Sequence, residues 1–476
     1  MSTSRILERR MRGIHSVAWM ALALSLGASA RVAAADSLVW RADESRVSAE
    51  IESWRLPRVL QAITAATGWQ VYVEPGTEHT VSARFTSLKP ADALLRLLGE
   101  LNFALLPRAD GPSQLFVYRH SVSAATQLVR ATQGSRTPAR GGKAIGNELI
   151  VTLKRGSKRD IESLEKKLHA TAVARLDGLG AYRLRFEDDT AARKARTALE
   201  GEADVESVEN NVVMAPPTEL EPLAMSSGAP LSLTPDISPS TGKVVVGLLD
   251  SAVQGQATAF KDFLQPAISL EGDYQPPGDR ITHGTAMAET ILDGVAGILR
   301  EQGDGTGKVP LSILPIDIYG GDETTTAFDV ARGLAAALER HANVINLSLA
   351  GDNDSPLLRS LIQSAANHGV LVFAAAGNTP VVTPTYPAAD PGAIAVTAGD
   401  VSGQIAPYAN RGPFVDAVAP GTNVVQYADR AWLGTGTSFS TAWVAGWAAG
   451  FMASSGRSSS ATETETLRRW GFGSKP

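Results

Sequence analysis

A serine, a histidine and an aspartate in this chain each sit in a local sequence suited to acyl-transfer chemistry. Ser438 lies in "GTSFSTAWVAG", where small residues allow a substrate to approach and the apolar run that follows places the serine at a helix N-terminus. Helix-end amides and the helix dipole favour negative charge there. His283, in "THGTAMAET", also opens a helix, and Asp250 closes the strand-like "VVVGLLD". With Asn378 at the end of "VLVFAAAGN", the set offers a hydroxyl, a base, a carboxylate to orient the base, and an amide donor for an oxyanion. Taken singly, each has a plainer use: serine as a helix N-cap, histidine as a satisfied structural residue, aspartate in a turn.

Other chemistries drop out on composition. The 476 residues include no cysteine, which removes thiol nucleophiles, disulfides, iron–sulfur clusters and cysteine-ligated zinc. The seven histidines form no HExxH pair, no EF-hand loop is present, and "GDNDSP" near Asp352 is too short to assign a metal. No cofactor and no metal ligand are expected, and structural calcium stays unassigned. A formal net charge of -5 with 20% charged residues argues against a nucleic-acid partner. No GxSxG elbow is present, which disfavours an esterase of the α/β-hydrolase kind.

The elements that must position these residues begin at Lys243. From there "KVVVGLLD", "VINLSLA", "VLVFAAAGN" and "AIAVTAG" alternate with amphipathic stretches, as expected of a parallel sheet with helices on both faces. Ligands in such folds gather at the carboxyl ends of the strands, where Asp250 and Asn378 fall. Two small α+β units precede it. The first, over 36–120, reads strand, helix, strand, strand, helix, strand, with Leu94, Leu97, Leu98 and Leu101 on one face of its second helix. A Gly, Ser, Thr, Arg and Ala mixture at 121–146 reads as a linker. The second unit, over 147–215, has strands near Glu148–Lys154, Ala170–Arg175, Ala181–Phe186 and Val205–Val213, with two helices. A Pro- and Ser-rich stretch at 216–242 reads as an exposed connection, and 456–476 as a C-terminal tail.

At the start of the chain, Arg5, Arg9, Arg10 and Arg12 precede an apolar run from Val17 to Ala30 and small residues that suit cleavage after Ala30 or Ala35. This predicts an export signal over 1–35, hence a periplasmic or secreted protein. No later segment reads as transmembrane, so no membrane span is expected in the mature chain.

The third unit, 243–455, resembles the subtilase (peptidase S8) family through "LLDSAV", "HGTAMA", "VINLSLAG", "FAAAGN", "VDAVAPGT" and "GTSFSTAWVAG", and through the chain order Asp, His, Ser. The resemblance implies a subtilisin-like α/β fold and a serine endopeptidase with Ser438 as nucleophile, His283 as general base, Asp250 orienting it and Asn378 in the oxyanion hole. It also implies substrate walls at Ser348, Leu349, Ala350 and Gly351 and at Ala375, Ala376 and Gly377. The second unit, through "NELIVTLKRG", "LGAYRLRF" and "VESVENNVV", is similar to the subtilase propeptide, which implies a zymogen with its own propeptide as first partner, ahead of protein or peptide substrates. A ferredoxin-like binding module is the plainer reading of that unit. The first unit resembles the short N-terminal domain of secretins and TonB-dependent receptors, which implies an envelope protein partner; a generic α+β module is the alternative. Three positions depart from the family pattern: Ala252 and Glu289 stand where glycine is usual, and Ala442 where proline is usual. They leave open a protease-like scaffold with weak or no activity.

Overall fold

Residues 37–129, 144–226 and 233–472 are described by the computed structural model, with breaks of one to five residues inside these spans. The export signal expected over 1–35 and most of the linker expected over 121–146 lie outside the described residues.

The first unit has strands β1 (Ser37–Arg41), β2 (Arg46–Arg55), β3 (Gln70–Val73), β4 (Thr80–Leu88), β5 (Asn102–Leu106), β6 (Gln114–Tyr118) and β7 (Gln127–Val129). Its helices are α1 (Leu56–Thr67) and α2 (Pro90–Leu98), each with a proline in its first turn, where the missing N–H costs nothing. Gly68, at φ 72°, ends α1 in the left-handed region as a glycine C-cap does. Leu94, Leu97 and Leu98 of α2 are fully buried with Leu60 and Ile63 of α1 in one core. The expected order of elements is present, but the unit runs on to Val129. Val122, Ala124 and Ala125 are buried and β7 pairs with β3, so the first residues of the expected linker belong to this unit. Three small apolar residues are too few to show a period in the sequence.

The second unit comprises β8 (Ala144–Leu153), α3 (Ile161–Leu168), β9 (Thr171–Leu176), β10 (Ala181–Arg185), α4 (Asp189–Leu199) and β11 (Val205–Met214), with an antiparallel sheet in the order β11-β8-β10-β9. The connection that follows is less exposed than its composition implies. It contains β12 (Glu219–Pro222), β13 (Met225–Ser226) and β14 (Thr234–Pro235), each paired to a strand of another unit. Strands of two to four residues carry no alternation long enough to read.

The third unit contains β15 (Val244–Asp250), β16 (Ile268–Ser269), α5 (His283–Glu301), β17 (Lys308–Val309), β18 (Leu311–Asp317), β19 (Thr325–Thr326), α6 (Ala327–Glu339), β20 (Val344–Leu347), α7 (Pro356–Asn367), β21 (Leu371–Ala375), β22 (Ala393–Gly399), β23 (Ala417–Pro420), the hairpin β24 (Thr422–Tyr427) and β25 (Arg430–Thr435), α8 (Thr437–Ser455) and α9 (Ser459–Trp470). Seven strands form a parallel sheet in the order β16-β18-β15-β20-β21-β22-β23. Both faces are covered, which is why its strands are apolar throughout. Helix α8 is buried at nearly every position from Thr437 to Gly450, as its all-round apolar sequence requires. It crosses α5 closely: a Cβ on Gly446 would overlap the Ile291 carbonyl, and one on Gly294 the Trp443 carbonyl. The stretch expected to be a tail contains α9, whose Trp470 packs edge-on against Trp447 at 6.4 Å.

Candidate active site

Sheet order changes direction at β15, which pairs with β18 on one side and β20 on the other. A crevice opens at the carboxyl ends of strands at such a point. Asp250 ends β15 there, and Ser348 follows β20 directly. The Asp250 carboxylate accepts from Ser251 N–H at 2.7 Å and meets His283 Nδ1 at 2.7 Å through Oδ1 and 2.9 Å through Oδ2. With Nδ1–H donating to the carboxylate, Nε2 is the acceptor nitrogen. It is buried and has no partner among the described residues.

His283 is the first residue of α5, capped by Thr282, whose hydroxyl accepts from Thr285 N–H and donates to Ala252 O at 2.7 Å. Gly284 N–H donates to Ser251 Oγ at 2.9 Å. A Cβ at Gly284 would overlap the Ser251 carbonyl oxygen, so glycine lets the histidine helix abut the aspartate strand. Ala252 does not adopt a positive φ, and alanine is unstrained there.

Ser438 is the second residue of α8, behind Gly436 at the N-cap, and is fully buried. Its Oγ donates to Ser348 O at 3.2 Å, and Ser348 Oγ donates to Ser438 O at 3.1 Å. Asn378, three residues beyond β21, accepts from Thr437 N–H through Oδ1 at 2.9 Å, and Gly377 N–H donates to Thr437 Oγ1 at 3.0 Å. The fold therefore brings Asp250, His283, Ser438, Asn378 and the Ser348–Gly351 and Ala375–Gly377 segments to one end of the sheet. A Cβ built on Gly377 would lie 3.8 Å from Ala350 Cβ, so the Ala350 methyl faces the opposite wall.

The other two departures lie away from the crevice. Ala442 continues α8 within the core. Glu289 faces neither solvent nor crevice: both its oxygens accept from Gln426 N–H, at 3.0 and 2.9 Å, tying α5 to β24. Burial and the nearby Asp293 raise its pKa well above the usual range, and burial pushes Asp293 up to about 6, although Asn423 donates to it at 2.7 Å.

Two residues that the sequence reading passed over lie in the second unit. Glu209 Oε1 accepts from Leu357 N–H at 3.0 Å, at the start of α7, and Asn211 Oδ1 accepts from Phe328 N–H at 3.3 Å, at the start of α6. Two apart on β11, they project to one face, and polar residues at that spacing on a buried strand were the signal available. Their strand goes on to pair Val213 and Met214 with β19, and then Ala215 with Ala350, whose N–H donates to Ala215 O at 3.1 Å. Glu219 pairs with Thr435. Both ends of the short connection are thus pinned beside Ser438.

A model of the Subtilase family matches residues 241–470, and one of the Fervidolysin N-terminal prodomain matches 130–211. A thermostable alkaline protease of Halalkalibacterium halodurans is 34% identical over 184 residues, covering 38% of this chain and 48% of that protein, so the chain spans about half of that relative's length. The crystal structure of fervidolysin from Fervidobacterium pennivorans, described as a keratinolytic enzyme related to subtilisin, matches with a TM-score of 0.51 at 20% identity. It covers 68% of this chain and 57% of that one, a likeness of fold. Subtilisin BL of Lederbergia lenta is 36% identical over 211 residues, covering 42% of this chain and 76% of its own length. With the subtilase match falling on the same residues that build the crevice, this chain belongs to the subtilase family.

Proposed function

We propose that the chain is a serine-type endopeptidase, made as an exported zymogen, with Ser438, His283 and Asp250 as its triad and Asn378 as oxyanion donor. The observation that carries this reading is the Asp250–His283 pair at 2.7 Å, set at the same end of the sheet as the N-terminus of the Ser438 helix. Asp250 fixes the imidazole with Nε2 as acceptor. For catalysis the Ser438 hydroxyl turns from Ser348 O to Nε2, loses its proton there and attacks the substrate carbonyl. The oxyanion is met by the Asn378 amide and the Ser438 backbone N–H at the positive end of α8. His283 then protonates the leaving amine, and water repeats the sequence to release the acid.

The second unit acts as propeptide. Its strand β11 supplies caps to α6 and α7 and delivers Ala215 to the substrate wall, which supports a template and an inhibitor in one. Self-cleavage falls between Ala215 and Glu219. The basic and apolar pattern over 1–35 supports export to periplasm or medium, and the resemblance of the first unit supports an envelope protein contact there. The Ala350 methyl, facing Gly377, narrows the primary pocket in favour of small or medium apolar residues. A peptide library tests that: preference for large aromatics at the scissile position contradicts it.

Replacing Ser438 by alanine tests the assignment. S438A should accumulate as the uncut chain and leave casein intact; a variant that still matures alone and digests casein contradicts the reading.

A further inference from the structure

In chain order the first unit precedes the propeptide, yet its contacts are with the third unit. Ala104, Leu106, Phe116, Tyr118, Val122 and Ala125 form one buried cluster with Leu433 of β25, and Leu223 and Val424 pack against it. Strand β13 extends the first unit's sheet, with Met225 opposite Leu105 and Ser226 opposite Ala104. Three residues upstream of β13, β12 pairs with β25, and Leu223 N–H donates to Ala431 O at 2.9 Å. One strap, Glu219–Ser226, therefore stitches the hairpin to the first unit. Among the described residues, no core cluster joins the first unit to the propeptide. Every partner just named for the first unit lies on the C-terminal side of residues 216–218.

We infer that the first unit is a retained subunit of the protease: after two cuts, one between Ala215 and Glu219 and one between the first and second units within 130–143, and loss of the propeptide, it stays bound, without a covalent link, to the β24–β25 hairpin and the strap. Departure would uncover the apolar edge strand "NFALL" of β5, which β13 now pairs, and an uncovered edge of that kind invites aggregation. It would also expose Leu433, which is 2% accessible. Tyr118 reaches as far as α5, where burial and the neighbouring Asp293 push its phenol up to about 12. Both cuts rest on the proposed self-processing; the docking does not.

Two arms separate them. In full-length S438A, a recognition sequence for a site-specific protease is inserted within 130–143, and the cut protein is run on size exclusion. Co-elution of the first unit with the remainder is expected; its elution as a free fragment overturns the inference. Adding Leu223→Asp should weaken co-elution at least tenfold, and no change would place the docking elsewhere and overturn the surface assigned here. In the second arm, self-processed wild-type protein is analysed by mass spectrometry. Peptides from 37–129 and from Glu219 onward are expected without those of 144–214. Joint loss of the first unit and the propeptide overturns retention, whereas a chain that never cuts itself counts against the proposed function alone.

Discussion

Ser438 and His283 are not yet hydrogen-bonded to each other. The hydroxyl donates to Ser348 O, and the imidazole Nε2 stands unpartnered, while its other nitrogen is held by two carboxylate contacts. In the proposed mechanism the base is positioned first and the hydroxyl must leave Ser348 O before it can be deprotonated, a common state for a site without substrate. Asn378 has one oxygen committed to Thr437 N–H, which fixes the plane of its amide. Loss of a side-chain oxyanion donor costs about 10²- to 10³-fold in kcat, a magnitude measured on subtilisin and carried over here. Asn378→Ala should show that loss in kcat with KM little changed, by steady-state assay on a peptide anilide. Glu289 allows a second prediction. Because burial and Asp293 raise its pKa, Glu289→Gln, which keeps an oxygen for the Gln426 N–H, should change Tm little, whereas Glu289→Ala removes that acceptor and should lower Tm. Activity per folded molecule should not move in either variant, since neither touches the crevice.

The two helices that carry His283 and Ser438 are locked by their closeness. Adding a methyl at Gly446 drives it into the Ile291 carbonyl, a backbone atom that cannot turn aside. Gly446→Ala should destabilise by at least the upper end of the about 1–3 kcal/mol typical of overpacking, read as a lowered Tm in scanning calorimetry. The propeptide contact carries a pH dependence. Burial raises Glu209, and burial followed by the nearby Glu209 charge pushes Asp390 up to about 7, against the pull of Arg359. A carboxyl with a raised pKa in the folded state favours that state when protonated. The contribution of this pair to stability should therefore be full below about 4, the ordinary aspartate value, and be lost as pH rises through about 7. In full-length S438A this appears as a Tm that declines across that window, and Asp390→Asn should flatten the decline. The sequence foretold these elements unevenly. Apolar strands between amphipathic helices announced the parallel sheet, and each triad residue stood at a recognisable strand or helix end. Glu209 and Asn211 escaped notice because their partners are helix amides over a hundred residues away, which no local period encodes. The acceptor role of Glu289 is hidden for the same reason: it depends on a hairpin that is remote in sequence.

At the scale of the whole chain, three units are arranged so that the middle one and the first both pack against the third. The propeptide caps α6 and α7 and its strand reaches Ala350; the first unit takes the hairpin that leads into Ser438. Among the described residues no helix is long and apolar enough to cross a membrane. The succession of strand and helix patterns suggested three units but not their contacts, because the strap that joins first to third is made of strands two to four residues long in a Pro- and Ser-rich stretch. The claim on which all of this turns is that Ser438 is an activated nucleophile. Self-processed protein treated with a fluorophosphonate and digested for mass spectrometry reads it directly. A single stoichiometric adduct is expected on the peptide containing Ser438, lost in S438A. An unlabelled protein, or an adduct on another serine, would contradict it.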